Sequence, residues 1–237
     1  MGRIRREEQH ATIREEIKAA ARRLMAQQGS AGLSVRGIGR ELQLTAPALY
    51  HYYPSLDAVI TDLILDAFNA LADALEAARD ALRGQPASSQ LLAVLLEYRR
   101  WALAHSIDFQ LIYGNPIPGY EAPADVTTPA ATRGFLVIAS LITRCLEQES
   151  AQPAAEYRHI PPELEASMQA LGSQLEVFGL DLAPLSLYLT SVGWPRLHGI
   201  IMLELFNHIQ PVVGEMDAFY RIQIMDLLRA MGVRIGL

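Results

Sequence analysis

The stretch from Ser34 to Tyr53, SVRGIGRELQLTAPALYHYY, leaves the backbone few choices. Val35, Ile38 and Leu42 recur at i, i+3 and i+7, so they share one face of a helix. Ser34 stands where an N-cap belongs, and its hydroxyl can accept from a first-turn N–H. Gln43, Leu44 and Thr45 break the period. Thr45 can cap a second helix, and Pro47 falls in its first turn, where a missing N–H costs little. Leu49 and Tyr53, four apart, can pack back on the first helix, and Pro54 with Ser55 ends the segment. A helix, a short turn and a second helix make the helix-turn-helix plan.

The second helix offers Thr45, Ala46, Ala48, Tyr50, His51 and Tyr52 outward. Small residues at its start allow close approach to a groove. The hydroxyls and the helix N-terminus can bond phosphates. Arg36 and Arg40 lie four apart on an outward face of the first helix and can meet a nucleic-acid backbone. A plain helical hairpin with a solvated face satisfies the same periodicity. The order of cap, turn, proline and aromatic cluster favours the nucleic-acid reading.

The run from Leu33 to Ile60, with Leu49-Tyr50-His51-Tyr52-Tyr53-Pro54-Ser55 at its centre, resembles the DNA-binding domain of the TetR (tetracycline-repressor-like) family of bacterial regulators. The resemblance implies that Thr45, Pro47, Ala48, Tyr50, His51 and Tyr52 fall on the DNA-contacting helix, and Ser34, Arg36 and Arg40 on its supporting helix. Three residues depart from that family's pattern. Gln43 replaces a turn glycine, at a cost of about 1 kcal/mol. Gly39 stands where alanine is frequent, weakening the helix by about 1 kcal/mol. Leu56 stands where a lysine or arginine is common, so one phosphate contact is missing. Arg3, Arg5 and Arg6, read as a mobile basic arm, are the compensators; minor-groove contact and plain solvation both fit them.

The net charge of −6 argues at first against a partner made of phosphates. Its distribution reverses that. Residues 1–60 hold nine Lys/Arg against six Asp/Glu, and residues 61–237 hold eleven against twenty. A basic head on an acidic body fits a protein whose head alone meets nucleic acid. The single cysteine, Cys145, excludes an internal disulfide and a cysteine-based metal cluster. A charged N-terminus without an apolar segment lacks a signal peptide's pattern, and the longest nearly uncharged run, Leu182 to Pro195, is too short to span a bilayer. The expected location is cytoplasmic.

The expected fold is all-α. A three-helix domain of residues 1–54 precedes a helical ligand-binding and dimerisation body of residues 55–237. Thr12 to Gln28 reads as the first helix, with Ile13, Ile17, Ala20, Leu24 and Met25 inward and Arg14, Lys18 and Arg22 as a solvated stripe. Leu56 to Arg83 reads as one helix too long for the head alone, and so as a lever shared by both parts. Residues 88–113 form one or two helices and 114–126 a proline-rich loop. Another helix runs from Thr127 and Thr128, with Pro129, to about Glu149, and a further one from Glu163 to Phe178. Leu182 to His208 should kink at Pro195. With the last helix, from Asp217 to Met231, it provides the expected dimer interface, centred on Leu197, Ile201, Leu205, Phe219, Ile222 and Met225.

Trp194-Pro195-Arg196-Leu197-His198-Gly199 resembles the tryptophan-x-x-x-histidine-glycine signature of one TetR C-terminal subfamily. That resemblance implies a helical ligand-binding body. The six histidines are scattered without metal-ligand spacing, and no phosphate loop, nucleophile elbow or dinucleotide fingerprint occurs. No catalytic constellation, metal site or cofactor is expected. Candidate ligand-binding residues are Tyr98, Trp101, His105, Phe109 and Tyr113. Phe135, Met168, Tyr188 and Trp194 complete the set, an apolar lining with a few polar groups; plain core packing accounts for each as well. The leading reading is a homodimeric repressor on a pseudo-palindromic operator in double-stranded DNA, released by a small apolar or amphipathic effector. The same head would serve an activator. The alternatives are a helical carrier or enzyme with an incidental hairpin, and a regulator whose effector is a protein.

Overall fold

A computed structural model describes residues 2–177 and 179–236, without the side chains of residues 2–7, 31 and 177. The described residues are all-α, as expected, with eleven α-helices in the order α1 (Gly2–Gln28), α2 (Val35–Leu42), α3 (Ala46–Tyr50), α4 (Leu56–Ala81), α5 (Ala87–Ala104), α6 (Ser106–Tyr113), α7 (Ala124–Gln148), α8 (Pro162–Val177), α9 (Pro184–Leu205), α10 (Gln210–Val213) and α11 (Met216–Ala230). They divide into two compact units. The first holds Met1–Asn69 and His105–Ala131; the second holds Ala70–Ala104 and Thr132–Leu237. Helix α4 is unbroken and supplies residues to both.

The first unit closes around Ile17, Ala20, Ala21 and Leu24 of α1, Ile38 of α2, Leu49 and Tyr53 around α3, and Val59, Ile60 and Leu63 of α4. Ile107, Leu111 and Ile112 of α6 and Ile117 and Tyr120 of the following loop pack on the same core. These last residues extend the unit beyond the three helices that the periodicity of residues 12–53 describes. Thr61 Oγ1 and Tyr120 Oη, 2.9 Å apart, tie the loop to α4.

Two expectations change here. Helix α1 begins at Gly2, ten residues before Thr12, so the backbone of the presumed arm is helical. The side chains of Arg3, Arg5 and Arg6 lie outside the described residues. Secondly, the Arg14, Lys18 and Arg22 stripe is not simply solvated. Arg14 donates to Asp62 at 2.9 Å, Lys18 to Asp66 at 2.6 Å and Arg22 to Asp108 at 2.8 Å. The i, i+4 spacing that looked like a surface stripe meets carboxylates of α4 and α6 across the unit. Lys18 is 5% exposed. Burial works to lower its pKa, but hydrogen bonds to Asp66 and Glu15 outweigh that and hold it charged. Residues 88–113, expected as one or two helices, form two, α5 and α6, parted at His105.

The second unit packs Leu71, Ala72 and Leu75 of α4 with the buried faces of α5, α7, α9 and α11. Helix α7 is long and apolar enough, by length and composition, to cross a membrane. Its Val137, Ile138, Ala139, Leu141 and Ile142 are instead buried in this unit. It starts at Ala124, ahead of Thr127, with Pro129 inside the helix. Helix α8 was expected to end at Phe178, a position outside the described residues. Helix α9 passes through Pro195 without a break. Arg99 of α5 makes a paired contact with Glu204 of α9, Nε to Oε2 at 2.7 Å and Nη2 to Oε1 at 2.6 Å, and reaches Asp217 at 2.7 Å. Glu204 is 8% exposed. Cys145 is buried, and burial pushes its thiol up to about 12.

Leu197 and Ile201, expected at a dimer interface, are instead internal core, 2% and 0% exposed. The outer face of α9 and α11 carries Leu203 and Ile222, 42% and 56% exposed. The long apolar run of α9 hid which of its faces turns inward, because nearly every side is apolar. Ile201→Ala should therefore cost about 2–5 kcal/mol in urea melts, as a buried large-to-small change does. A loss under about 1 kcal/mol would return Ile201 to the surface.

Candidate nucleic-acid interface

Local bonds set each part of the helix-turn-helix in place. Ser34 Oγ accepts from Gly37 N at 3.1 Å, capping α2. The helix ends at Gln43, whose φ of 56° is left-handed. Leu44 N then donates back to the Gly39 carbonyl at 2.8 Å. The turn is so tight that a Cβ on Gly39 would lie 2.7 Å from the Leu44 carbonyl oxygen. Gly39 is thus required for close backbone approach, and the expected weakening relative to alanine is overturned by sterics that propensity ignores. Thr45 Oγ1 accepts from Ala48 N at 3.3 Å, and Pro47 sits in the first turn of α3. Ser55 Oγ accepts from Ala58 N at 3.1 Å at the start of α4.

Two residues fasten α3 from below. Leu49 is fully buried, and Tyr53 is 1% exposed. The Tyr53 hydroxyl donates to Asp62 at 2.5 Å, and the Arg14 guanidinium lies 4.3 Å from the Tyr53 ring centre while donating to the same carboxylate. Burial and the Asp62 carboxylate push the Tyr53 pKa up, so the phenol stays neutral. Burial works to raise Asp62, but the hydrogen bonds from Tyr53 and Arg14 prevail and hold it below the usual carboxylate range. Arg23 and Glu41 join α1 to α2 by a further ion pair.

This frame leaves one face free. Thr45, Ala46, Pro47, Tyr50 and His51 are exposed, and Ala48 and Tyr52 are half-buried. Ser34, Arg36 and Arg40 are exposed on the preceding helix, with Ser34 engaged as the cap. Leu56 packs against the core of this unit, and the exposed Asp57 follows it in the first turn of α4. A positive charge at that helix start is absent. Sequence reasoning missed His10 of α1, whose ring meets those of His51 and Tyr52. Only its spacing of four from Arg14, which lies over Tyr53, hinted at this position.

The nine ligand candidates divide between the two units. Tyr113 of α6 meets Phe68 and Phe109 edge to face in the first, where His105 is exposed at the start of the same helix. In the second unit Tyr98, Phe135 and Trp194 meet. Trp194 is 5.4 Å from Tyr98, 5.7 Å from Phe135 and 4.9 Å from His198 by ring centres. His198 also hydrogen-bonds the Tyr98 hydroxyl. Met168 packs near Phe135, while Trp101 and Tyr188 are buried. A void beside Trp194, among Leu91, Ile138, Thr190 and Leu227, measures about 10 Å³, at the threshold for one water. A groove of about 900 Å³ lies elsewhere, lined by Glu149, Gln152, Met225, Arg229 and Arg234, and includes none of the nine candidates.

Two family profiles match this chain. One, described as bacterial regulatory proteins of the tetR family, covers residues 17–63. The other, a tetracyclin repressor-like C-terminal domain, covers residues 91–227. HTH-type transcriptional regulators of Mycobacterium bovis and Mycobacterium tuberculosis are each 37% identical over 129 residues, 54% of this chain. The match spans 55% of the length of those curated relatives. Among solved structures, SCO4313, provisionally classed as a regulatory protein, is 29% identical with a TM-score of 0.71, covering 94% of this chain and 98% of its own. A regulator in the tetR family from Rhodococcus RHA1 shares the fold at 12% identity and a TM-score of 0.66, over 94% of this chain and 98% of its own.

Two stability predictions follow from this geometry. Gly39→Ala should destabilise by about 1–3 kcal/mol despite alanine's helix propensity, whereas Gln43→Gly should stabilise by about 0.5–1 kcal/mol. Thermal melts with the opposite signs would contradict the turn as described. Separately, burial pushes the His198 pKa from its ordinary 6.5 down to about 4. Between those values the unfolded chain takes up a proton that the folded one refuses, so stability falls as pH drops through this window. The loss should reach about 2–3 kcal/mol at the acid end. His198→Asn should remove that part of the acid loss in urea melts; an unchanged pH profile would place His198 in solvent.

Proposed function

We propose that the chain, which belongs to the TetR family of bacterial regulatory proteins, is a homodimeric DNA-binding transcriptional repressor released from its operator by a small apolar or amphipathic molecule. The observation that carries this reading is the exposed row Thr45, Pro47, Tyr50 and His51 on a helix anchored by Leu49 and Tyr53. A helix held that firmly can present hydroxyls and an N-terminus to a major groove, while Arg36 and Arg40 meet the flanking phosphates. Residues 1–54 then carry DNA recognition and residues 55–237 carry dimerisation and effector binding.

Dimerisation is placed on the outer face of α9 and α11, where Leu203 and Ile222 stand in water in the single chain. Two heads would read half-sites roughly 34 Å apart or somewhat more. The effector is assigned to the second unit, among the candidates that lie there, Tyr98, Trp101, Phe135, Met168, Tyr188 and Trp194. Trp194, His198 and Tyr98 form its most organised group, and support the tryptophan-x-x-x-histidine-glycine subfamily reading. Because burial keeps His198 neutral at pH 7, this group suits an uncharged or amphipathic molecule better than an anion. An effector releases DNA only by preferring the conformation that binds DNA poorly.

Selection of full-length protein against a randomised duplex library, followed by fluorescence anisotropy on the enriched duplex, tests the reading. Two chains should bind each duplex, affinity should fall steeply with salt, and Tyr50→Ala should weaken binding by about 1–3 kcal/mol while the dimer persists. Equal affinity for the enriched and a scrambled duplex, or no effect of Tyr50→Ala, would defeat it.

A further inference from the structure

Helix α1 and the segment after α3 bring two imidazoles together beside the exposed row. The His10 ring lies 4.8 Å from that of Tyr52, and 6.0 Å from that of His51. His51 and Tyr52 meet edge to face at 5.2 Å. His51 is exposed, and His10 and Tyr52 are half-buried, so water and a ligand can reach the group from one side.

The charges around the group come from three elements. On α1, Glu8 is exposed two residues before His10, and Arg14 one turn beyond it is already held by Asp62 of α4. Tyr50 and Tyr52 supply phenols next to His51, and Asp57 lies in the first turn of α4. Among the described residues, neither imidazole has a carboxylate partner. Apolar rings would cover Tyr52 as well as His10 does. What imidazoles add is N–H donors that gain positive charge in mild acid. A phosphodiester placed against both accepts from their N–H groups and is attracted by any imidazolium formed there.

We propose that His10 and His51 form a binding site for one phosphate of the DNA backbone, and that this site takes up protons as DNA binds. It rests on the DNA-binding reading above and adds to it a residue of α1, outside the helix-turn-helix. It also supplies positive charge to a head that has Leu56 and Asp57 at the start of α4. Since the complex binds more protons than the free protein, operator affinity rises as pH falls.

The test measures anisotropy of the enriched duplex with full-length protein at about pH 6 and about pH 8, at constant ionic strength. Wild-type affinity should increase about ten-fold on going to the lower pH. His10→Gln should reduce that gain to about three-fold, and His10→Gln with His51→Gln should abolish it. Circular dichroism melts establish that the variants fold, and the single His51→Gln change at an exposed position provides a second route if His10→Gln does not. A double variant that keeps the wild-type pH dependence overturns the proposal. So does a double variant that loses equal affinity at both pH values, which is the mark of a packing role alone. If wild type binds equally at both pH values while Tyr50→Ala still weakens binding, the phosphate site fails and the DNA-binding reading stands. If no duplex is enriched at either pH, the DNA-binding reading fails and takes this proposal with it.

Discussion

Tyr53 cannot be buried without a partner for its hydroxyl, and Asp62 is that partner. An unsatisfied buried hydroxyl costs about 1–3 kcal/mol, so the bond strongly favours one arrangement of the segment after α3. Arg14 closes the triangle by bonding the same carboxylate and covering the ring. Through these side chains α1, the recognition segment and α4 are held as one body. The exposed row at Thr45, Pro47, Tyr50 and His51 inherits its rigidity from them. A surface that must fit a groove needs such fixed support, since every degree of freedom left to it would have to be frozen on binding.

Lys18 with Asp66 and Arg22 with Asp108 repeat the same device along α1. Each places a cation of one helix against a carboxylate of another. Exposed pairs of this kind contribute little, but the near-complete burial of Lys18 makes its partner obligatory. The consequence for the first unit is specificity of packing. Helix α1 can slide along α4 only by breaking several pairs at once, and Arg22 brings α6 into the same frame.

How much of this could be read from the sequence depended on the range of the interaction. The capping by Ser34 and Thr45 and the burial of Leu49 and Tyr53 are local, and the pattern of residues 34–53 showed them, while the turn conformation at Gln43 came from the family resemblance. The steric need for Gly39 was misjudged because the atom it avoids belongs to the backbone of Leu44, beyond the helix. The ion pairs of Arg14, Lys18 and Arg22 were read as solvated because their partners lie 48 to 86 residues away. Helix α6 and its following loop joined the first unit through apolar contacts that no local period encodes. In α9 the difficulty was different. With apolar residues on most sides, Leu197 and Ile201 could not be separated from Leu203 by periodicity, and only the packing of the unit distinguishes them.

The Arg99–Glu204 contact has a bearing on how this sequence can drift. Glu204 is nearly removed from water, and Arg99, which also reaches the exposed Asp217, neutralises it. Replacing Arg99 alone strands the Glu204 carboxylate, at a cost of about 3–5 kcal/mol against a typical net stability of about 5–15 kcal/mol, whereas Arg99 without Glu204 keeps Asp217. Replacing both with apolar residues of similar volume can be neutral. Descendants of this chain therefore face a valley between two acceptable states, crossed only when a second change follows the first quickly or when stability gained elsewhere carries the intermediate. The positions should be inherited as a unit, either ionic together or apolar together.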